Sequence, residues 1–186
     1  IMLAAEEIDR IATGLNIEDS IREAALEIFS SSSKAGLVRG RSCSKVAASS
    51  IYTACRMENA PRTLDEIADN SEINRNELSR LYKLTKRKLK LKLEVGATNL
   101  FLPRFSKTLA LSLEAEKRAK EIINSIKKEG FQRGISPAAI LGASIYLACR
   151  ELKIRRSQLE IAKVVGTSEV TLRNRAKEIN QFLSIN

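Results

Sequence analysis

The chain contains two similar halves, and this internal repeat constrains its fold more than any other feature. At an offset of 94 residues, the segment that begins at Gly40 aligns without a gap with the segment that begins at Gly134. The motif Ser-Ile-Tyr-x-Ala-Cys-Arg occurs at residues 50–56 and again at residues 144–150. Because a period this long exceeds the roughly 20–50 residues of solenoid repeats, we predict a duplicated small domain.

Hydrophobic spacing of three and four residues predicts five helices in each half. The third helix of each half, about 43–58 and 136–151, is apolar or small on nearly every face. A helix of that kind lies at the centre of a bundle. Thr63-x-x-Glu66 and Ser157-x-x-Glu160 are capping-box patterns that predict the starts of the two fourth helices.

The predicted fold class is therefore all-α, with two tandem five-helix repeats. We assign residues 1–92 to the first repeat, 93–102 to a linker and 103–186 to the second repeat. No apolar run approaches the roughly 18 residues of a membrane span, so we expect no membrane association. We also expect the chain to be a monomer.

The residues that usually support catalysis or metal binding are scarce. The chain has no histidine, and its three cysteines, Cys43, Cys55 and Cys149, show no CxxC spacing. This pattern indicates a reducing compartment and no metal site. We predict that the chain is not an enzyme and that this fragment has no cofactor. Cys55 and Cys149, which are equivalent in the repeat, are expected to be small buried hydrophobic residues.

The positive charge is concentrated in two places. The net charge is +10; residues 1–94 carry 16 basic and 14 acidic residues, whereas residues 95–186 carry 16 and 8. The first half also contains a basic run without an acidic residue from Arg80 to Lys92. Such asymmetry favours a polyanionic partner on one face. The alternative is a solvated helix end, where Lys and Arg also suit the helix dipole.

Residues 157–179 predict a helix, a turn at Gly166 and a second helix. Side chains such as Ile161 and Leu172 would fill the angle between the helices and leave a polar face exposed. In a helix-turn-helix, the start of the second helix meets the base edges of the major groove. The predicted base-reading residues are Val170, Thr171 and Arg173. The alternative is helix-turn-helix packing without DNA binding, which occurs in many folds.

The first repeat differs at the equivalent positions, where it has Asn76, Glu77 and Ser79. We therefore expect only the second repeat to read sequence, whereas both repeats contact the DNA backbone. The predicted backbone contacts are Arg80, Lys83, Lys86, Arg87, Lys88, Arg155, Arg156, Asn174, Arg175 and Lys177.

Four segments resemble the core of archaeal transcription factor B, the counterpart of eukaryotic TFIIB. They are LVRGRS at 37–42, AASSIYTACR at 47–56, PRTLDEIAD at 61–69 and EVTLRNRAKEI at 169–179. This resemblance implies two cyclin-like repeats and a general initiation factor that binds the TATA-binding protein on bent promoter DNA. It also implies readout of the element upstream of the TATA box by Val170, Thr171 and Arg173, and recruitment of RNA polymerase.

The same resemblance places Arg75 at a contact with the partner protein, where the family has a basic pair and this chain continues with Asn76. It implies a zinc ribbon upstream of residue 1, and a location in the cytoplasm at the nucleoid if archaeal, or in the nucleus if eukaryotic. The alternative function is a cyclin-like protein-binding module, such as a kinase regulator or scaffold, without sequence-specific DNA binding.

Overall fold

A computed structural model describes residues 2–58, 60, 62–91, 98–128, 130 and 136–185. These residues form ten helices and no strand, which confirms the all-α prediction. The chain divides into two compact units, residues 1–94 and 95–186. Lys92 and residues 93–97 of the predicted linker lie outside the described residues.

The first unit is a five-helix bundle around its third helix. Its helices are α1 (Met2–Gly14), α2 (Asp19–Lys34), α3 (Cys43–Met57), α4 (Leu64–Asp69) and α5 (Arg75–Lys88). Every residue of α3 from Val46 to Cys55 is buried, and α1, α2 and α5 pack against it. Its alanines and serines allow this close approach on all sides, which confirms the predicted central helix.

The second unit repeats this order. Its helices are α6 (Thr98–Thr108), α7 (Leu113–Lys128), α8 (Pro137–Glu151), α9 (Gln158–Val165) and α10 (Glu169–Ile185). Helix α8 is buried from Ala139 to Ile145 and packs against α7, α9 and α10. Gly142 is buried within this central stretch.

Two helix starts differ from the sequence prediction. Asparagine is a common N-cap residue, so Asn16 predicts an earlier start for α2. The helix instead begins at Asp19, and Asn16 has a left-handed backbone with φ 51°. Helix α6 begins at Thr98 and carries Pro103 inside it, so residues 98–102 of the predicted linker are helical. The second core explains this extension, since Leu102 and Phe105 are buried in it.

Side-chain caps start three helices, and those of α4 and α9 lie at the predicted Thr63 and Ser157. Thr63 accepts a hydrogen bond from the amide of Glu66, whose carboxylate accepts one from the amide of Thr63. Asn74 caps α5 and Ser157 caps α9 through the amides three residues later. These bonds fix where α4, α5 and α9 begin, and hence where the polar faces of the helix pairs lie.

Candidate nucleic-acid interface

The turn between α9 and α10 is closed by its own backbone and side-chain bonds. Gly166 ends α9 in the left-handed region, with φ 74° and ψ 47°, and its amide donates to the carbonyl of Ala162. The amide of Thr167 donates to the same carbonyl at 3.0 Å. Ser168 then accepts a bond from the amide of Thr171 at 3.0 Å, so it caps α10. A glycine is suited to this position because an added Cβ disfavours positive φ.

One stripe of α10 is anchored in the second core. Leu172 and Ile179 are fully buried and Ala176 is 4% exposed. These residues recur at spacings of four and three and therefore lie on one face of the helix. The residues between them face outward, and the rigid core fixes their direction.

The outward face carries the predicted base-reading residues. Val170 is 56% exposed and Arg173 is also exposed. Thr171 is half-buried, and its hydroxyl lies 2.7 Å from that of Ser168. Among the described residues, no acidic group pairs with Arg173. Its five donors are therefore available for an external acceptor, such as the O6 and N7 atoms of guanine.

The predicted backbone contacts in this repeat fall into two groups. Arg155, Asn174 and Lys177 are exposed, so they can reach phosphate. Arg175 is partly buried and forms an ion pair with Glu178, three residues later on the same helix. A phosphate would have to compete with that carboxylate for Arg175.

The guanidinium of Arg156, also predicted to contact the DNA backbone, is partly buried and bonded within the fold. Nε and Nη2 donate to the carbonyl of Leu109 at 3.0 and 2.9 Å, and Nη2 lies 3.4 Å from the carbonyl of Ala110. Nε also lies 3.7 Å from a carboxylate oxygen of Glu160. Ala110 has a φ of 47°, so Arg156 braces the irregular end of α6. From sequence alone, an arginine in a basic loop cannot be distinguished from one bonded to distant carbonyls.

In the first repeat, the corresponding helix start is occupied by ion pairs. Lys45 on α3 donates to both carboxylate oxygens of Glu77, at 2.9 and 3.0 Å. Arg75, the predicted partner contact, lies 2.9 Å from the carboxylate of Asp65, and both side chains are partly exposed. The carboxylate of Glu77 is thus paired within the protein, whereas the equivalent residue of the second repeat is Thr171.

The basic residues of α5 form a stripe. Arg80, Lys83 and Arg87 are spaced by three and four residues and are exposed on one face of the helix. Lys88 is exposed as well, and Lys86 is half-buried. Lys83, Lys86 and Arg87 line a shallow open concavity with Lys90 and Leu91. This surface therefore presents a cluster of positive charge.

Sequence reasoning missed two cations beside this stripe. Arg41 and Lys45 line one concavity with Arg80, between the loop before α3 and the start of α5. Arg41 donates to the carbonyl of Leu37 at 3.1 Å, which holds its side chain close to the loop. The basic Arg39-Gly40-Arg41 segment was the available signal. The sequence gives no comparable signal for Lys45, because its proximity to Glu77 depends on how α3 packs against α5.

Cys55 and Cys149 lie inside the central helices, whereas Cys43, at the start of α3, is half-buried. Burial raises the pKa of the Cys55 thiol to about 12, and it also raises the pKa of Cys149. Both residues are almost wholly inaccessible to solvent. Within the described part of the chain, no cluster of three His, Cys, Asp or Glu residues could hold a metal ion. The described helices include none that is long and apolar enough to cross a membrane.

Comparisons with known proteins give one consistent family. The model of the transcription factor TFIIB repeat matches this chain twice, over residues 1–88 and 91–181. Proteins named transcription initiation factor IIB from Archaeoglobus fulgidus and Ignicoccus hospitalis are 41% and 43% identical over 182 residues, or 98% of this chain. The match covers only 56% and 58% of those two proteins, so the chain spans a little over half their length.

Proposed function

This chain belongs to the TFIIB repeat family, and we propose that it is the DNA-binding core of a transcription initiation factor. In this proposal it binds double-stranded promoter DNA together with the TATA-binding protein and reads the element upstream of the TATA box. Membership of the family agrees with the prediction that the chain is not an enzyme.

The observation that carries the proposal is the outward face of α10. Arg173 and Val170 are exposed at the start of a helix whose opposite face is anchored by Leu172 and Ile179. A guanidinium on a fixed helix can meet guanine in the major groove, and a valine methyl can contact thymine.

The two repeats would contribute differently to DNA binding. The second repeat would read bases through Val170, Thr171 and Arg173, whereas the stripe of Arg80, Lys83 and Arg87 in the first would bind phosphates. Phosphate contacts supply affinity and position, and contacts to base edges supply specificity. The ion-paired helix start around Glu77 supports this division, since it offers no comparable base-reading set.

The partner proteins belong to the proposal as well. Arg75 is the residue we propose for contact with the TATA-binding protein, where an acidic group of the partner would compete with Asp65 for the guanidinium. Recruitment of RNA polymerase is proposed for the longer protein of which this chain resembles a part, since the relatives extend well beyond the matched region. DNA already bent by the partner would add recognition of shape.

A gel-shift experiment on TATA-containing DNA tests this function. The chain is expected to shift the complex of DNA and TATA-binding protein further, and to do so more strongly with the preferred upstream element than with a scrambled one. A cyclin-like protein-binding module predicts no further shift with either DNA. A further shift of equal strength on both DNAs would mean that the chain binds without reading sequence.

A further inference from the structure

The central helix of the second repeat lacks a side chain at the point where it meets the helix pair that bears the reading face. Gly142 lies within α8 and is buried. A Cβ built on it would lie 3.0 Å from Cγ2 of Val165 and 3.1 Å from Cδ1 of Leu172. Carbon atoms in optimal contact are about 3.5–4.0 Å apart, so a methyl group does not fit there without movement.

Both neighbours of that position are buried in the second core. Val165 is 1% exposed and Leu172 is fully buried, and both belong to the second core. Val165 ends α9, and Leu172 lies in the first turn of α10 between Thr171 and Arg173. A methyl group at position 142 would therefore press on the end of α9 and on the first turn of the helix that carries the proposed base-reading residues.

The first repeat has different residues at two of these three positions. At the offset of 94, Ala48 corresponds to Gly142 and Ser71 corresponds to Val165, whereas leucine is retained as Leu78 and Leu172. Gly142 thus lacks the methyl group of Ala48, and Val165 is larger than Ser71. Ser71 lies beyond the end of α4 at Asp69, whereas α9 continues to Val165 before Gly166 ends it.

From this exchange we propose that Gly142 is a positioning residue for sequence readout, acting through Val165 and Leu172 on the direction of Arg173. The inference rests on the proposed function, because it concerns the same reading face. It predicts that a single methyl group buried in α8, away from the exposed face of α10, changes the specificity of DNA binding.

The test compares Gly142→Ala with the double variant Gly142→Ala, Val165→Ser, which reproduces the pair found in the first repeat. Each chain is titrated onto TATA DNA with the TATA-binding protein, using the preferred and a scrambled upstream element. The wild-type chain is expected to prefer the first by roughly tenfold or more. Gly142→Ala should reduce that ratio at least severalfold and leave binding to the scrambled element almost unchanged, and Val165→Ser should restore the ratio.

Ala48→Gly is the matched control, since it alters the equivalent position in the repeat that does not read sequence. It should leave the ratio at the wild-type value. An unchanged ratio in a folded Gly142→Ala chain would overturn the inference. So would a ratio reduced equally by Ala48→Gly.

Circular dichroism separates misfolding from misplacement of the helix. If Gly142→Ala lacks wild-type helix content, the double variant is used to test the inference. Recovery of both helix content and the ratio supports the inference, and any other result contradicts it. If the wild-type chain binds the preferred and the scrambled upstream element equally, the proposed sequence readout is wrong. The inference about Gly142, which depends on that readout, is then wrong as well.

Discussion

The guanidinium of Arg62 donates a hydrogen bond from Nη2 to the carbonyl oxygen of Leu15, at 2.9 Å. At the equivalent positions of the second repeat, Arg156 donates to Leu109 at the same distance. In both repeats the arginine precedes the fourth helix and reaches 47 residues back to the end of the first helix. The repeated arginine therefore ties together distant parts of each five-helix bundle.

Replacing Arg156 by alanine should reduce stability rather than specific DNA binding. The change removes charge-assisted bonds to the Leu109 carbonyl, and hydrogen bonds to charged groups contribute about 1.5–3 kcal/mol. We expect Arg156→Ala to lower the free energy of unfolding by about 2 kcal/mol in urea. The neighbouring Arg155→Ala should change it by less than about 0.5 kcal/mol, because Arg155 is exposed. Weaker DNA binding by Arg156→Ala with an unchanged free energy of unfolding would instead show that Arg156 contacts phosphate.

Much of this fold was predictable because the strongest signals are local or repeated. The central helices follow from their apolar residues, and the cap of α4 follows from Thr63 and Glu66. The start of α6 was not predictable, since Pro103 is a strong local signal for a helix start. Tertiary packing of Leu102 and Phe105 outweighs it. Local propensity is weaker than burial where the two disagree.

The candidate site was predictable to a lesser degree. Periodicity places Val170 and Arg173 outside the core stripe, and the structure agrees that both are exposed. Long-range partners are invisible to such a pattern. The bond from Arg156 to Leu109 and the ion pair of Lys45 with Glu77 join residues 47 and 32 positions apart. The contact of Gly142 with Val165 also depends on how the helices cross.

The buried thiol of Cys55 should make stability depend on alkaline pH. Its pKa is about 12 in the folded chain against an ordinary value of 9.0, so the folded state resists deprotonation. Its contribution is fully present below about pH 9 and is lost as pH rises toward 12, by up to about 1.4 kcal/mol per pH unit. Unfolding of the wild type and Cys55→Ala, measured at about pH 8 and about pH 10.5, should show a smaller loss in the variant.

Equal losses in the two chains would mean that Cys55 ionises as freely in the folded state as in the unfolded one. Both chains retain Tyr52 and Tyr82, whose pKa values are also raised by burial. Their titration therefore cancels in the comparison. Cys149→Ala should show an effect of the same sign, because burial raises the pKa of that thiol too.

The stripe on α5 should make DNA binding sensitive to salt. If about five phosphates are neutralised, the logarithm of the affinity should fall with the logarithm of salt concentration at a slope of roughly −5. Replacing both Lys83 and Arg87 by alanine should reduce the steepness by about two and weaken all sequences alike. Anisotropy titrations over a range of salt concentrations provide the measurement. Arg10→Ala is the control, since Arg10 pairs with Glu7 on α1.

If the double variant of Lys83 and Arg87 keeps the wild-type slope of affinity against salt concentration, the stripe is a solvent-exposed face that does not bind phosphate. That result would favour the interpretation of α5 as a helix with a favourable charge at its carboxyl end. A flat salt dependence of the wild-type chain would favour a protein-binding module over a DNA-binding one.

The most direct test of the central claim is the specificity of Arg173→Ala. The variant and the wild type are titrated onto TATA DNA with the TATA-binding protein, with the preferred or a scrambled upstream element. Loss of a bidentate contact to guanine should reduce the discrimination by about 1–3 kcal/mol and leave most binding to the scrambled element intact. Lys88→Ala, which alters a proposed phosphate contact, should weaken both DNAs by one factor. If Arg173→Ala also weakens both equally, Arg173 binds phosphate and the account of base readout is wrong.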